Sequence, residues 1–179
     1  CGPQVWFTDG KQQLAEKDDA IRLAREWLKA GKIIAIKGLG GYHLACDAEN
    51  ASAVHELRLR KKRSDKPFAL MAFDLETVQK HCHVRSSQKS LLESPQHPIV
   101  VLRKNGNGSI VEEVAPKQNQ LGFMLPYTPL HLLLLEPEPG FPTVFVMTSG
   151  NSSEEPIAFD DEDAMERLGP IADGFLLHD

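Results

Sequence analysis

No stretch of this 179-residue sequence approaches the roughly 20 consecutive apolar residues that a membrane-spanning helix needs, so no membrane association is expected. The longest apolar run, Leu130 to Leu135, is short and contains His131. Cysteine is scarce. Cys1, Cys46 and Cys82 are odd in number and widely scattered, and no secretory signal precedes the first element, so a reduced, cytoplasmic compartment is expected. Positive charge is not in excess either: 20 Lys and Arg against 25 Asp and Glu leave a formal net charge of −5. That balance argues against wholesale coating of nucleic acid but leaves room for a local anion site. There is no Walker A loop, no internal repeat and no low-complexity linker, and no Ser, Cys or Thr has a His partner defined by spacing. What remains, 41% hydrophobic and 25% charged residues, is the composition of an ordinary soluble globular protein. A chain of this size suits one substantial domain that buries about 70% of its unfolded surface.

Against that background one stretch stands out. Arg58, Arg60, Lys61, Lys62, Arg63 and Lys66 place six of the 20 cations within nine residues. Like charges so dense repel, and persist where a polyanion neutralises them or water screens them. Either a solvated helix end or an anion site would account for the run. Asn50 to Arg60 reads as a helix, capped by Asn50, with Ala53, Val54 and Leu57 on one face. Phe68 to Phe73 reads as a buried strand. The cations therefore fall at a helix-to-strand junction on the rim of a sheet, where α/β proteins bind phosphates.

The rest of the chain alternates short elements. Val5 to Phe7 is expected as an edge strand, with Asp9-Gly10 as a turn. A helix follows from Asp18 to Ala30, capped by Asp18 or Asp19 and stopped by Gly31. Strands are expected at Ile33 to Ile36 and Tyr42 to Cys46, joined by the glycine loop Gly38 to Gly41. Asp74 caps a helix to about Lys80, and Ser86 or Ser87 caps another to Glu93. Pro98 to Arg103 reads as a strand, with Asn105 to Gly108 as a hairpin turn into Ile110-Val111. Leu121 to Leu125 is a strand, and Thr128 with Pro129 opens a helix to about Leu135. Thr143 to Met147 is a strand running into the polar loop Thr148 to Asn151; Asp160 caps a helix to Leu168, and Gly174 to Leu177 is a last strand. Strands outnumber crossover helices, so a mixed sheet is expected.

Several motifs bear on chemistry. The glycine loop lacks the glycine that a dinucleotide fingerprint would need at His43, and a strand follows it instead of a helix. It marks either a strand-to-strand turn or a close approach of backbone to ligand. Thr148-Ser149-Gly150-Asn151 offers hydroxyls and backbone N–H groups to a phosphate, or is an ordinary polar turn. The acids Glu154, Glu155, Asp160, Asp161, Glu162, Asp163 and Glu166 could form a magnesium site or, from Asp160 to Asp163, favour the start of the last helix. His81-Cys82-His83 lacks a second ligand pair at zinc-site spacing and reads as structural. His131 is a satisfied semi-buried histidine or a substrate contact. Fixed cations and small hydrogen-bond donors without a nucleophile suit transfer at phosphorus, where positioning and charge neutralisation carry the catalysis.

Lys61-x-Arg63 with a distant Ser149-x-Asn151 resembles the Lys/Arg/Ser/Asn tetrad of YrdC-type proteins. Lys37 to Ala48, Lys66 to Met71, Leu121 to His131, and Met147 to Asn151 with Glu155-Pro156-Ile157 are similar to the form found in the HypF carbamoyltransferases. Threonylcarbamoyl-adenylate synthases of the same superfamily usually carry alanine in place of Gly150. The resemblance implies an α/β (α+β) YrdC-type fold, a large twisted mixed sheet with flanking helices and a concave basic site. It implies a tail, residues 1–10, following a zinc-finger-like module, and a carbamoyl-adenylating domain, residues 11–179. Cys1 would then be a zinc ligand only in a longer protein, cut here inside its chain, and no zinc is expected in these residues. The activity implied is formation of carbamoyl-adenylate from ATP and carbamate, itself derived from carbamoyl phosphate. That is a step in carbamoyl transfer to the partner HypE during maturation of nickel–iron hydrogenases. Lys61 and Arg63 would neutralise the triphosphate and the departing pyrophosphate. Thr148, Ser149 and Asn151 would hold ATP with Mg2+, and Tyr42 and His43 would line the carbamate pocket. Arg58 and Lys62 read as interchangeable surface charges. The alternatives are a threonylcarbamoyl-adenylate synthase, an RNA-binding module using the basic face, and a segment that only docks neighbouring domains of the same chain.

Overall fold

The computed structural model describes residues 4–152 and 155–179. The expected zinc ligand Cys1 and the acid Glu154 lie outside the described residues.

Among the described residues ten strands form one mixed sheet in the order β2-β1-β10-β3-β4-β9-β5-β8-β7-β6. They are β1 (Val5–Thr8), β2 (Gln13–Glu16), β3 (Ile34–Lys37), β4 (Tyr42–Asp47), β5 (Ala69–Ala72), β6 (Cys82–His83), β7 (Val100–Lys104), β8 (Gln120–Met124), β9 (Val144–Ser149) and β10 (Gly174–His178). Two neighbour pairs, β10 with β3 and β5 with β8, are parallel, and the others are antiparallel. The α-helices among the described residues are α1 (Lys17–Lys29), α2 (Ala51–Arg60), α3 (Leu75–His81), α4 (Ser86–Leu92), α5 (Pro129–Leu135) and α6 (Asp161–Leu168).

Alternation along the strands divides the core in two. Leu44, Cys46, Leu70, Phe123 and Val146 face α2, α3 and α6, through Val54, Leu57, Val78, Ala164 and Leu168. Ala45, Met71, Phe145 and Met147 face the other way, onto Ala24 and Leu28 of α1 and Leu134 of α5. On that second face Ile99 and Val101, at and beside β7, remain 54% and 55% exposed, so this part of the sheet stays open.

Where the signal is local, expectation and structure coincide. Asn50 accepts from the Ala53 N–H, Asp74 from Thr77, Thr128 from His131, and Asp160 from Glu162 and Asp163. Within the acidic run, Asp160 thus works as a helix cap. Elsewhere corrections are needed. Helix α1 begins after Glu16, which makes no side-chain cap, instead of at Asp18 or Asp19. Helix α4 is capped at Arg85, one residue earlier than expected. Ile110-Val111 is not a strand: the chain passes from the Asn105 turn into a short 3-10 helix at Glu112–Val114. Strand β1 is not at the sheet edge, because the unforeseen β2 pairs outside it. Val5–Thr8, expected in a tail, is thus built between β2 and β10.

Candidate functional site

Helix α2 delivers the cationic run and then reverses. Lys62 N–H bonds to Leu59 O and Arg63 N–H to Arg58 O, with Lys62 in the left-handed region at φ +52°. This is a Schellman ending with lysine where glycine is usual. The reversal separates side chains that are close in sequence, and each of the cations acquires a different task.

Arg58 turns inward and is only 9% exposed. Its guanidinium donates to the carbonyls of Ser64 (2.6 Å), Lys66 (3.3 Å), Glu113 and Val114 (3.1 Å), and lies 4.5 Å from the centre of the Phe68 ring. It is a clamp on the 63–66 loop, so the expectation of an interchangeable surface charge is corrected. Arg60 bridges Glu56 and Asp173, tying α2 to the start of β10. The dense charge is thus spread over carbonyls, carboxylates and an aromatic ring, which lowers the mutual repulsion that suggested a polyanion.

Lys61 is fully buried. Its ammonium donates to Ser149 O (2.7 Å), Asn151 Oδ1 (2.7 Å) and Asn151 O. Burial, and then the charge of Arg63, pull its pKa down to about 8. Ser149 Oγ also donates to Asn151 Oδ1 (2.7 Å), and Asn151 Nδ2 to Glu155 O (2.6 Å). Lys61, Ser149 and Asn151, 88 to 90 positions apart in sequence, therefore form one knot.

The knot requires Gly150. Its N–H donates to Tyr42 O at 2.7 Å, and a Cβ there would stand 2.6 Å from both Tyr42 O and Tyr42 Cβ. Gly41, at φ +138°, faces the same strand crossing, with Ala158 O 2.8 Å from where a Cβ would be. Of the two readings of the glycine loop, the structure shows the strand-to-strand turn between β3 and β4.

Beside the knot lies a cleft of about 560 Å³ over the open part of the sheet. Arg63, Lys66, Thr148, Ser149, Gln118 and Gln120 supply its polar wall; Phe68, Ile99, Val101, Met124, Met147 and Ile157 supply an apolar one, and the His43 ring lines it as well. Arg63 is held over it by its bonds to Lys66 O (3.1 Å) and Pro67 O (2.7 Å), and burial lowers its pKa. His43 and Ser149 are direct partners across the β4–β9 ladder.

Of the expected site residues, Arg63, His43, Thr148 and Ser149 line the cleft, whereas Lys61, Asn151 and Tyr42 do not. Tyr42 points to the opposite face of β4. It is buried, and its hydroxyl donates to Asp161 Oδ1 (2.6 Å), the oxygen that also receives Lys37 Nζ (2.8 Å). Burial, reinforced by that carboxylate, raises the Tyr42 pKa. The carbamate-pocket assignment is corrected for this residue, because successive strand residues face opposite sides. His43 offers the cleft little polarity: its Nε2 is engaged by Tyr127 OH (2.6 Å), and burial lowers its pKa.

His131 stands behind His43, fully buried, with neither ring nitrogen hydrogen-bonded. Burial, then its neighbours His43 and His178, depress its pKa to about 3. It is neither satisfied nor open to the cleft. Sequence reasoning missed the apolar wall, although Ile99-x-Val101 shows the alternation of a strand with one open face. Among the described residues no carboxylate lines the cleft, and no three His, Cys, Asp or Glu side chains gather as a metal site.

With this geometry in view, residues 26–179 match the Sua5_yciO_yrdC family, described as Telomere recombination. Over its whole length the chain is 49% identical to carbamoyltransferase HypF of Rhodobacter capsulatus and covers 23% of it. It thus spans about a quarter of that relative's length. It is 25% identical to the threonylcarbamoyl-AMP synthase of Bos taurus, over 87% of this chain and 59% of that protein. A crystal structure of full-length HypF in the phosphate- and nucleotide-bound form superposes with a TM-score of 0.91 at 47% identity, covering all of this chain and 23% of the other. P. abyssi Sua5 complexed with L-threonine shares the fold, with a TM-score of 0.74 at 18% identity over 89% of this chain and 46% of that one.

Proposed function

The chain belongs to the Sua5/YciO/YrdC family, and from that premise we propose that it binds ATP in the cleft and joins carbamate to the α-phosphate. It would thereby serve as the adenylating unit of a larger carbamoyltransferase of the HypF kind. The single observation that carries the reading is the make-up of the cleft: an apolar bed of Ile99, Val101 and Met124 beside a cationic and hydroxyl wall of Arg63, Lys66, Thr148 and Ser149. A nucleotide has the same two halves, a flat apolar base and a polyanion. The nucleotide-bound state of the similar HypF structure supports the match.

In the proposed reaction a carbamate oxygen forms a bond to the α-phosphorus. The bond from that phosphorus to the β-phosphate oxygen breaks, and its electron pair leaves with pyrophosphate. Arg63, anchored at the rim, offsets the charge that gathers on the leaving group. The Ser149 hydroxyl orients phosphate oxygens, and the apolar bed holds the base. Among the described residues the expected Mg2+ finds no carboxylate cage in the cleft, and no step is assigned to it; a magnesium ion accompanying ATP would be held chiefly by the phosphates. HypE and the remaining domains of a longer chain would receive the carbamoyl group. Dispersal of the cationic run into internal contacts removes the support for RNA binding.

The test is pyrophosphate release by the 179-residue chain, with bicarbonate and ammonia as the carbamate source. Turnover is expected with carbamate and none with carbamoyl phosphate. Arg63→Ala should lower ATP affinity or turnover about tenfold, the value of one charge-assisted hydrogen bond, while Lys62→Ala should do little. Stimulation by threonine would identify a threonylcarbamoyl-adenylate synthase instead. Robust turnover of carbamoyl phosphate would refute the division of labour.

A further inference from the structure

Lys61 and Arg63 are two residues apart, yet only Arg63 reaches the cleft. The left-handed turn at Lys62 sends Lys61 beneath the end of β9. There the ammonium has three donors, and it donates to Ser149 O, Asn151 O and Asn151 Oδ1 among the described residues. The two carbonyls flank Gly150, so the cation closes a ring around the residue whose N–H is bonded to Tyr42 O. Burying an ammonium fully is costly unless its hydrogen bonds are made, and here they are made to the turn. To reach a phosphate, Nζ would have to abandon those bonds. Asn151 is equally occupied, accepting from Lys61 and Ser149 and donating to Glu155 O.

We propose that Lys61 is a positioning residue: it locks the Ser149–Asn151 turn and so sets how the Ser149 hydroxyl meets a bound phosphate, without contacting that phosphate itself. The inference rests on the nucleotide reading of the cleft, but the lock is a property of the ligand-free protein. It assigns the members of the Lys-x-Arg pair separate tasks, Arg63 on the anion and Lys61 on the turn.

The experiment uses the 179-residue chain and its Lys61→Met, Lys61→Arg and Arg63→Ala variants. Amide hydrogen exchange is measured without nucleotide, and calorimetry with ATP and with AMP. The N–H groups of Gly150 and Ala158, bonded to Tyr42 O and Gly150 O, should exchange about tenfold faster in both Lys61 variants and unchanged in Arg63→Ala. ATP and AMP should weaken by the same factor in Lys61→Met. Lys61→Arg should not rescue binding, because a planar guanidinium keeps the charge but cannot direct three bonds to the same oxygens. Slow exchange in Lys61→Met together with lost ATP affinity and intact AMP affinity would overturn the proposal in favour of direct contact with the outer phosphates. So would rescue by Lys61→Arg. Should Lys61→Met fail to fold, Asn151→Ala, which keeps the cation and removes one acceptor, must show the same faster exchange or the lock is refuted. If the wild-type chain binds no ATP, the nucleotide reading falls, and the exchange result alone supports or overturns the lock.

Discussion

Replacing Arg58 by alanine tests whether the cationic run is surface charge or internal scaffold. The guanidinium bridges two backbone segments, the carbonyls of Glu113 and Val114 on one side and those of Ser64 and Lys66 on the other. Alanine would remove all of these bonds at once and leave the carbonyls to find other donors. Counting only the two well-formed bonds to Ser64 O and Val114 O, at about 1.5 kcal/mol each for a charged donor, the loss is about 3 kcal/mol. Uncovering the Phe68 ring adds about 0.5–1 kcal/mol. A total of about 3–4 kcal/mol should lower the midpoint of urea unfolding by roughly 1–2 M for a protein of this size. The control is Lys66→Ala, an exposed cation of the same run; its midpoint should hardly move. Equal small shifts for the two variants would refute the clamp and restore the picture of a solvated basic helix end. Arg58→Ala should also weaken ATP binding, since the loop it clamps carries Arg63.

Two further outcomes follow from the same contacts. Gly150→Ala should cost about 1–3 kcal/mol or force the turn open, because its Cβ would overlap Tyr42; thermal unfolding and loss of nucleotide affinity measure this, and an unperturbed variant would show that the crossing has slack. His131, neutral in the fold down to about pH 3 against an ordinary value near 6.5, takes up a proton on unfolding anywhere between those values. Its contribution is complete above about 6.5 and lost as pH falls toward 3, so His131→Phe should flatten the acid limb of stability measured by urea titration at several pH values. Because the two ring nitrogens have no partners, that substitution should be close to neutral or stabilising at pH 7.

Much of the fold was legible because the forces that shape it act over a few residues. A cap needs only a side-chain oxygen and an N–H two or three positions on, so Asn50, Asp74, Thr128 and Asp160 announce their helices without knowledge of the rest. Buried strands such as Ile34–Lys37 and Val144–Ser149 announce themselves through continuous apolar residues. Strand β2 carries no such signal: Gln13–Glu16 is largely exposed and becomes a strand because β1 presents it with an edge. The pairing of Lys61-x-Arg63 with Ser149-x-Asn151 was visible as a resemblance. Which member faces a ligand was not, since it depends on partners 55 to 90 positions away and on one left-handed residue at the end of α2. Sequence by itself determined the caps at Asn50, Asp74, Thr128 and Asp160, most strands and the presence of a cationic junction, each a consequence of local hydrogen bonding or apolar patterning. Only the tertiary structure decided that Arg58 turns onto backbone carbonyls, Lys61 is buried against Ser149 and Asn151, Tyr42 faces away and Arg63 alone of the three cations reaches the cleft, because a side chain's surroundings are set by the acceptors that folding brings to it.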